Sequence, residues 1–116
     1  MSINVVFDFD GVIHSYHSPW HGADVIPDEP VEGIKEAIEE IRNAGYNVIV
    51  VSTRSKTKHG RNAIREWLDK YGIVVDEIHS EKPPAKVYID DRAICFEGNA
   101  NVLLDKINSF HPCNKE

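Results

Sequence analysis

Two aspartates two residues apart, Asp8 and Asp10, follow the apolar run Val5-Val6-Phe7 and precede Gly11. On an extended chain residues i and i+2 point the same way, and a glycine just beyond lets the backbone turn sharply. Two carboxylates at the end of an apolar segment repel each other and lose hydration, so the arrangement calls for a cation. The plainer reading is a solvated turn, for which Asp and Gly are ordinary residues. Two further polar groups follow apolar runs: Ser52-Thr53-Arg54 after Tyr46 to Val51, and Asp90-Asp91-Arg92 after Val87-Tyr88-Ile89. Carboxylates offer oxygen ligands that suit a hard divalent ion such as Mg²⁺, which typically takes one or two of them together with substrate phosphate. An aspartate meeting a phosphate dianion about 4 Å away faces about 4 kcal/mol of repulsion at an effective dielectric near 20. Mg²⁺, Lys82 or Lys86 and the Ser52 hydroxyl are the groups available to offset it.

The elements that must position these groups alternate in type. Ile3 with Val5 to Phe7 reads as a strand buried on both faces, as a central parallel strand is. Val31, Ile34, Ile38 and Ile41, with Ala37 and Ala44, fall at helical spacing from Val31 to Ala44, with Gly45 beyond the end. Tyr46 to Val51 is a second buried strand. A polar, basic loop over 55–60 leads to a second helix from about Arg61 to Tyr71, with Ala63, Ile64, Trp67 and Leu68 on one face. A short third strand lies around Glu77-Ile78-His79. A fourth spans Val87 to Ile89 after the break at Lys82-Pro83-Pro84, and a last helix runs from about Asn101 to Phe110. Strands alternating with helices indicate an α/β fold: a parallel, Rossmann-like sheet in a three-layer α/β/α arrangement. The segment over 13–30 has three prolines and no lasting periodicity, a long loop for so small a domain, and such loops are usually functional. Its His14, Tyr16, Trp20 and His21 are candidate substrate contacts over the carboxylates. Residues 111–116 read as a frayed, flexible tail.

A chain of 116 residues with 41% hydrophobic and 28% charged content makes one soluble domain, 1–116. No apolar run approaches the roughly 20 residues that span a bilayer, and there is no signal-like N-terminus, so the expectation is a cytoplasmic protein without a membrane partner. Cys95 and Cys113 have no metal-type spacing and read as bystanders. The formal charge of −6 argues against broad binding to nucleic-acid backbone.

In an open parallel sheet, groups at the carboxyl ends of the strands meet in one crevice although far apart in sequence. Asp8-Phe9-Asp10-Gly11-Val12, then Ser52, then Lys82 before Pro83, then Asp90-Asp91 stand in the order of the four motifs of the haloacid dehalogenase (HAD) superfamily, which the chain resembles from residue 5 to 91. The resemblance implies a phosphoric monoester hydrolase: Asp8 as nucleophile forming an aspartyl-phosphate, and Asp10 as general acid and then base. It also implies Mg²⁺ held by Asp8, the Asp10 carbonyl and Asp90, with Asp91 a ligand or a partner behind one. Ser52, Thr53 and Lys82 would bind the phosphoryl group. The gap from Lys82 to Asp90 is shorter than is usual there, which leaves Lys86 as the alternative. With only the 13–30 loop where many relatives insert a cap, the chain resembles the capless branch, whose members often take large substrates or complete their sites as homo-oligomers. Arg54 and Arg92 stand where they would bind substrate or pair with Asp91. The substrate expected is a phosphorylated small molecule. An alternative is a nucleotide or nucleic-acid end touched by basic loops such as Lys56 to Arg61. From another class comes a non-catalytic phospho-receiver or Mg²⁺-binding module.

Overall fold

The computed structural model describes residues 2–111. Continuous β-branched and aromatic character makes β1 of Asn4–Asp8 and β2 of Asn47–Val51. They pair in parallel with Phe7 opposite Val50 and Asp8 opposite Val51. β3, Glu77–His79, adds to the free side of β2, and β4, Val87–Ile89, to that of β1. The sheet order is therefore β3-β2-β1-β4, all parallel, with helices α1 (Ile34–Asn43), α2 (Lys58–Tyr71) and α3 (Leu103–Asn108) as connections and flank. This is the small α/β, Rossmann-like architecture that the alternation of elements predicts.

Alternate residues of the two central strands feed opposite faces, as a pleated strand requires. Val5, Phe7, Val48 and Val50 form one core with Ile38 of α1 and Ile64, Trp67 and Leu68 of α2. Val6, Ile49 and Val51 are buried on the other face with Ala85, from the chain that returns across the sheet to β4. Each such aliphatic side chain contributes roughly 1.5–3 kcal/mol on burial.

The element ends depart from the periodicity where a specific bond intervenes. α1 starts at Ile34 rather than Val31, because the Val31 N–H donates to the Ile13 carbonyl at 2.8 Å and Gly33 takes φ +82°. The expected loop over 55–60 is mostly helical. A 3₁₀ turn covers Thr53–Lys56, and α2 begins a turn early because the Thr57 hydroxyl accepts from the Gly60 N–H at 3.1 Å. Gly60 has no substitute there, since a Cβ would overlap the Arg54 carbonyl oxygen. The last helix is split into a 3₁₀ turn, Ala100–Val102, and α3. Of the expected tail only His111 is described; the rest, with Cys113, lies outside the described residues, and Cys95 is exposed. Among the described residues no helix is long and apolar enough to cross a membrane.

Candidate functional site

The chain leaves β1 toward β2 on one side, whereas β4 lies on the other, so the order reverses between β1 and β4. Ligands of open α/β sheets bind at that reversal, outside the carboxyl ends of the strands. Asp8 is the last residue of β1, and Asp90-Asp91 directly follow β4. One carboxylate oxygen from each of Asp8, Asp90 and Asp91 lies within 4.8 Å of the others. Gly11 permits this crowding: it holds φ +90°, and a Cβ there would overlap the Asp91 carboxylate. The Asp91 Oδ1 is shut off from solvent and has no hydrogen-bond partner among the described residues. A buried acceptor left so is costly unless something cationic meets it.

The charges follow from the packing. Burial, then the neighbouring Asp90, Asp91 and Asp10, push the Asp8 carboxyl up to about 7, against a lowering contribution from the Phe9 backbone N–H. Burial also raises Asp90, but the Lys82 ammonium at 2.9 Å and the Arg92 backbone N–H at 2.8 Å outweigh it and hold the group below its ordinary range. Lys82 is correspondingly raised, by Asp90 first and also by Asp8. Three oxygen donors, one of them unpaired and one kept from ionising by burial and by its acidic neighbours, fit a hard divalent cation.

Asp10 faces a different set of partners. Arg54 donates from Nε to Asp10 Oδ2 at 2.9 Å and from Nη2 to Oδ1 at 3.1 Å. His14 Nδ1 lies 2.8 Å from Oδ1. The Asp28 backbone N–H donates to His14 Nε2 at 3.1 Å, so the ring proton sits on Nδ1 and points at Asp10. Burial opposes ionisation of Asp10, but these hydrogen bonds and charges prevail and lower it. Two carboxylates two residues apart are thus driven in opposite directions, which is how environments separate acid–base roles. Arg54, 1% exposed, also donates from Nη1 to the carbonyls of Gly22, Ala23 and Val25 at 2.9–3.1 Å. It therefore pins the 13–30 loop and pairs with Asp10 rather than Asp91.

The remaining expected residues divide between the cluster and elsewhere. Ser52 directly follows β2, whose last residue, Val51, pairs with Asp8, and its buried hydroxyl accepts from the Arg54 N–H at 3.1 Å. Thr53 is exposed in the following turn. Lys82 reaches the cluster. Lys86 does not, since it precedes β4 at the opposite end from Asp90 and its N–H bonds the Asn4 carbonyl. Arg92 contributes its backbone N–H to Asp90. His14 is fully buried, with Tyr16 tilted against it at 5.8 Å, while Trp20 and His21 are exposed. Sequence reasoning missed Asp28 and Ser18. The Asp28 backbone N–H fixes the His14 tautomer, and Ser18 anchors the Asp28 carboxylate with a hydroxyl at 2.7 Å and a backbone N–H at 2.8 Å. Neither has a spacing that announces it, because both act across an irregular loop.

The architecture and the strand-end carboxylates thus define a small Rossmann-like α/β domain with a candidate cation site at its switch point. No protein-family model matches the chain. No curated protein matches it either. Among solved structures it is similar to a chain of the Pnkp1/Rnl/Hen1 complex, at 19% identity and TM-score 0.54 over 91% of this chain and 35% of that one. It is equally similar to a chain of the Pnkp1/Rnl/Hen1 RNA repair complex, again at 19% and 0.54, over 91% and 30%. The chain spans about a third of the length of these neighbours, and the likeness is one of fold.

Proposed function

We propose that the chain is a Mg²⁺-dependent phosphatase that hydrolyses a phosphate monoester through an aspartyl-phosphate. The observation that carries this reading is the meeting of Asp8, Asp90 and Asp91 within 4.8 Å beside an Asp10 that is separately held. An Asp8 oxygen forms the bond to phosphorus as the ester oxygen leaves, and Asp10 gives that oxygen its proton. Asp10 then takes a proton from water, whose oxygen attacks phosphorus, so phosphate departs and Asp8 is regenerated. An arriving phosphate dianion is a like charge that favours protonated Asp10, opposing the lowering by Arg54 and His14. Ser52 and Lys82 would hold the phosphoryl oxygens. Asp8, Asp90, Asp91 and the Asp10 carbonyl would hold Mg²⁺, which neutralises and orients the phosphate when bound.

Phosphate release from an aryl phosphate with Mg²⁺ tests the reading. Asp8→Asn should abolish it, and retention of most activity would remove Asp8 as nucleophile. Asp10→Asn should lose at least ~100-fold in turnover, the scale of general acid–base catalysis, while keeping most Mg²⁺ affinity because the carbonyl survives. The likeness to chains of an RNA repair complex favours a second reading, an enzyme acting on a nucleic-acid end. A salt-sensitive preference for oligonucleotide over mononucleotide phosphates would single it out. Release of many phosphates per protein molecule separates either enzyme from a phospho-receiver.

A further inference from the structure

The 13–30 loop carries a large aromatic surface with no apparent need to be in water. Trp20 is 48% exposed, although it sits in a segment fastened by three carbonyl bonds to Arg54. One face of its ring lies on that guanidinium, whose Cζ is 4.5 Å from the ring centroid. Since Arg54 is almost wholly buried, the open area of Trp20 lies on the opposite face and edge. The same guanidinium grips the Asp10 carboxylate through two nitrogens. Trp20 is therefore one side chain removed from Asp10, on the side where Arg54 approaches it.

This placement bears on the leaving group. In the reaction proposed above, on which this inference rests, the ester oxygen that departs must lie beside Asp10 to receive its proton. Whatever is attached to that oxygen lies beside Asp10, and the exposed ring of Trp20, stacked on the guanidinium that holds Asp10, is an aromatic surface one side chain away. A ring held from below by a fixed cation is a rigid platform, so little entropy is lost when a second flat group settles on it. A nucleobase is such a group, and stacking on an aromatic side chain accepts any base because every base has a π-face. The formal charge of −6 is compatible with this mode, which needs one phosphate and one base rather than a long basic track. We infer that Trp20 is the stacking platform for the base of a nucleotide whose phosphate is cleaved at Asp8. A free mononucleotide and the terminal nucleotide of a nucleic acid share that chemistry.

The test compares kcat/KM for nucleoside 3′- and 5′-monophosphates, a short oligonucleotide with a terminal phosphate, and glycerol phosphate. Trp20→Ala should lower the ratio of nucleotide to glycerol phosphate activity by about 5- to 150-fold, the range that base–aromatic stacking carries. Trp20→Phe, which keeps a ring over Arg54, should restore most of the ratio. A loss confined to the mononucleotides or to the oligonucleotide identifies the source. An equal loss on nucleotide and glycerol phosphate would make Trp20 only a cover for Arg54 and overturn the inference. Should the wild type cleave only the aryl phosphate, the phosphatase reading stands and the nucleotide inference is overturned. Should it release phosphate from none of these nor from the aryl phosphate, the phosphatase reading falls, and fluorescence decides the stacking on its own. Adenosine monophosphate should quench the emission of the wild type but not of Trp20→Phe, in which only the buried Trp67 remains; quenching in neither would refute the platform.

Discussion

Asp8→Asn should make the metal-free protein more stable, and increasingly so as pH rises. In the folded chain the Asp8 carboxyl resists ionisation until about pH 7, chiefly because of burial and then because of Asp90, Asp91 and Asp10, whereas its ordinary value is 3.8. Between those values the unfolded chain gives up a proton that the folded chain keeps. Unfolding then becomes easier with each step in pH, and above about 7 the full penalty is present. At about 1.4 kcal/mol per tenfold the whole displacement would be about 4 kcal/mol, and the partial solvent exposure of Asp8 reduces it to roughly 2 kcal/mol. Asparagine removes the charge and keeps the shape. Its advantage should be slight near pH 4.5, grow through pH 6, and level off near 2 kcal/mol by pH 8, about 8 °C in Tm for a domain of this size. Thermal unfolding in a chelator across that range measures it. Saturating Mg²⁺ should narrow or reverse the gap at pH 8 by stabilising the wild type by roughly 2–3 kcal/mol at a hundredfold excess over Kd, and should do less at pH 5, where the proton competes for the same oxygen. An Asp8→Asn gain that is absent, or equal at pH 4.5 and 8, would refute the charge crowding inferred for this cluster.

Two further outcomes follow from the other side of the site. Arg54→Met leaves Asp10 without its main counter-charge and strips the bonds to the Gly22, Ala23 and Val25 carbonyls. Breaking a buried pair costs about 3–5 kcal/mol, so urea unfolding should show at least ~3 kcal/mol of loss, and adding Asp10→Asn should recover part of it; a loss below ~1 kcal/mol would contradict the pairing. Gly11→Ala forces a Cβ into the Asp91 carboxylate at a backbone angle that L residues rarely adopt. It should cost roughly 1–3 kcal/mol in stability and remove most of the Mg²⁺-dependent rise in Tm, whereas an unchanged Mg²⁺ response would show that Asp91 has no share in the cation site.

The parts legible from sequence were those governed by short-range rules. The apolar runs at Val5 to Phe7 and Val48 to Val51 read as buried parallel strands, and parallel pairing puts Asp8 and the Ser52 that follows Val51 at the same edge of the sheet. The choice between Lys82 and Lys86 was not legible, because it depends on which end of a three-residue strand each lysine flanks. Nor was the partner of Arg54: a guanidinium two residues past Ser52 reaches several carboxylates, and only the path of an irregular loop decides among them. The periodicity places the start of α1 too early because one long-range bond, Val31 to Ile13, overrides it locally. Ser18 and Asp28 lay beyond reach for the same reason.

Arg54 ties the geometry of a loop to the charge of a carboxylate, so the two cannot vary independently. If the 13–30 segment were lengthened, shortened or lifted, its carbonyls would release the guanidinium, and the counter-ion of Asp10 would lose its fixed position. Such a loop is not a detachable lid over a finished site; it is one of the walls that give Asp10 its acidity. Changes in the loop that move those carbonyls would therefore also alter the proton affinity of Asp10 through a single side chain.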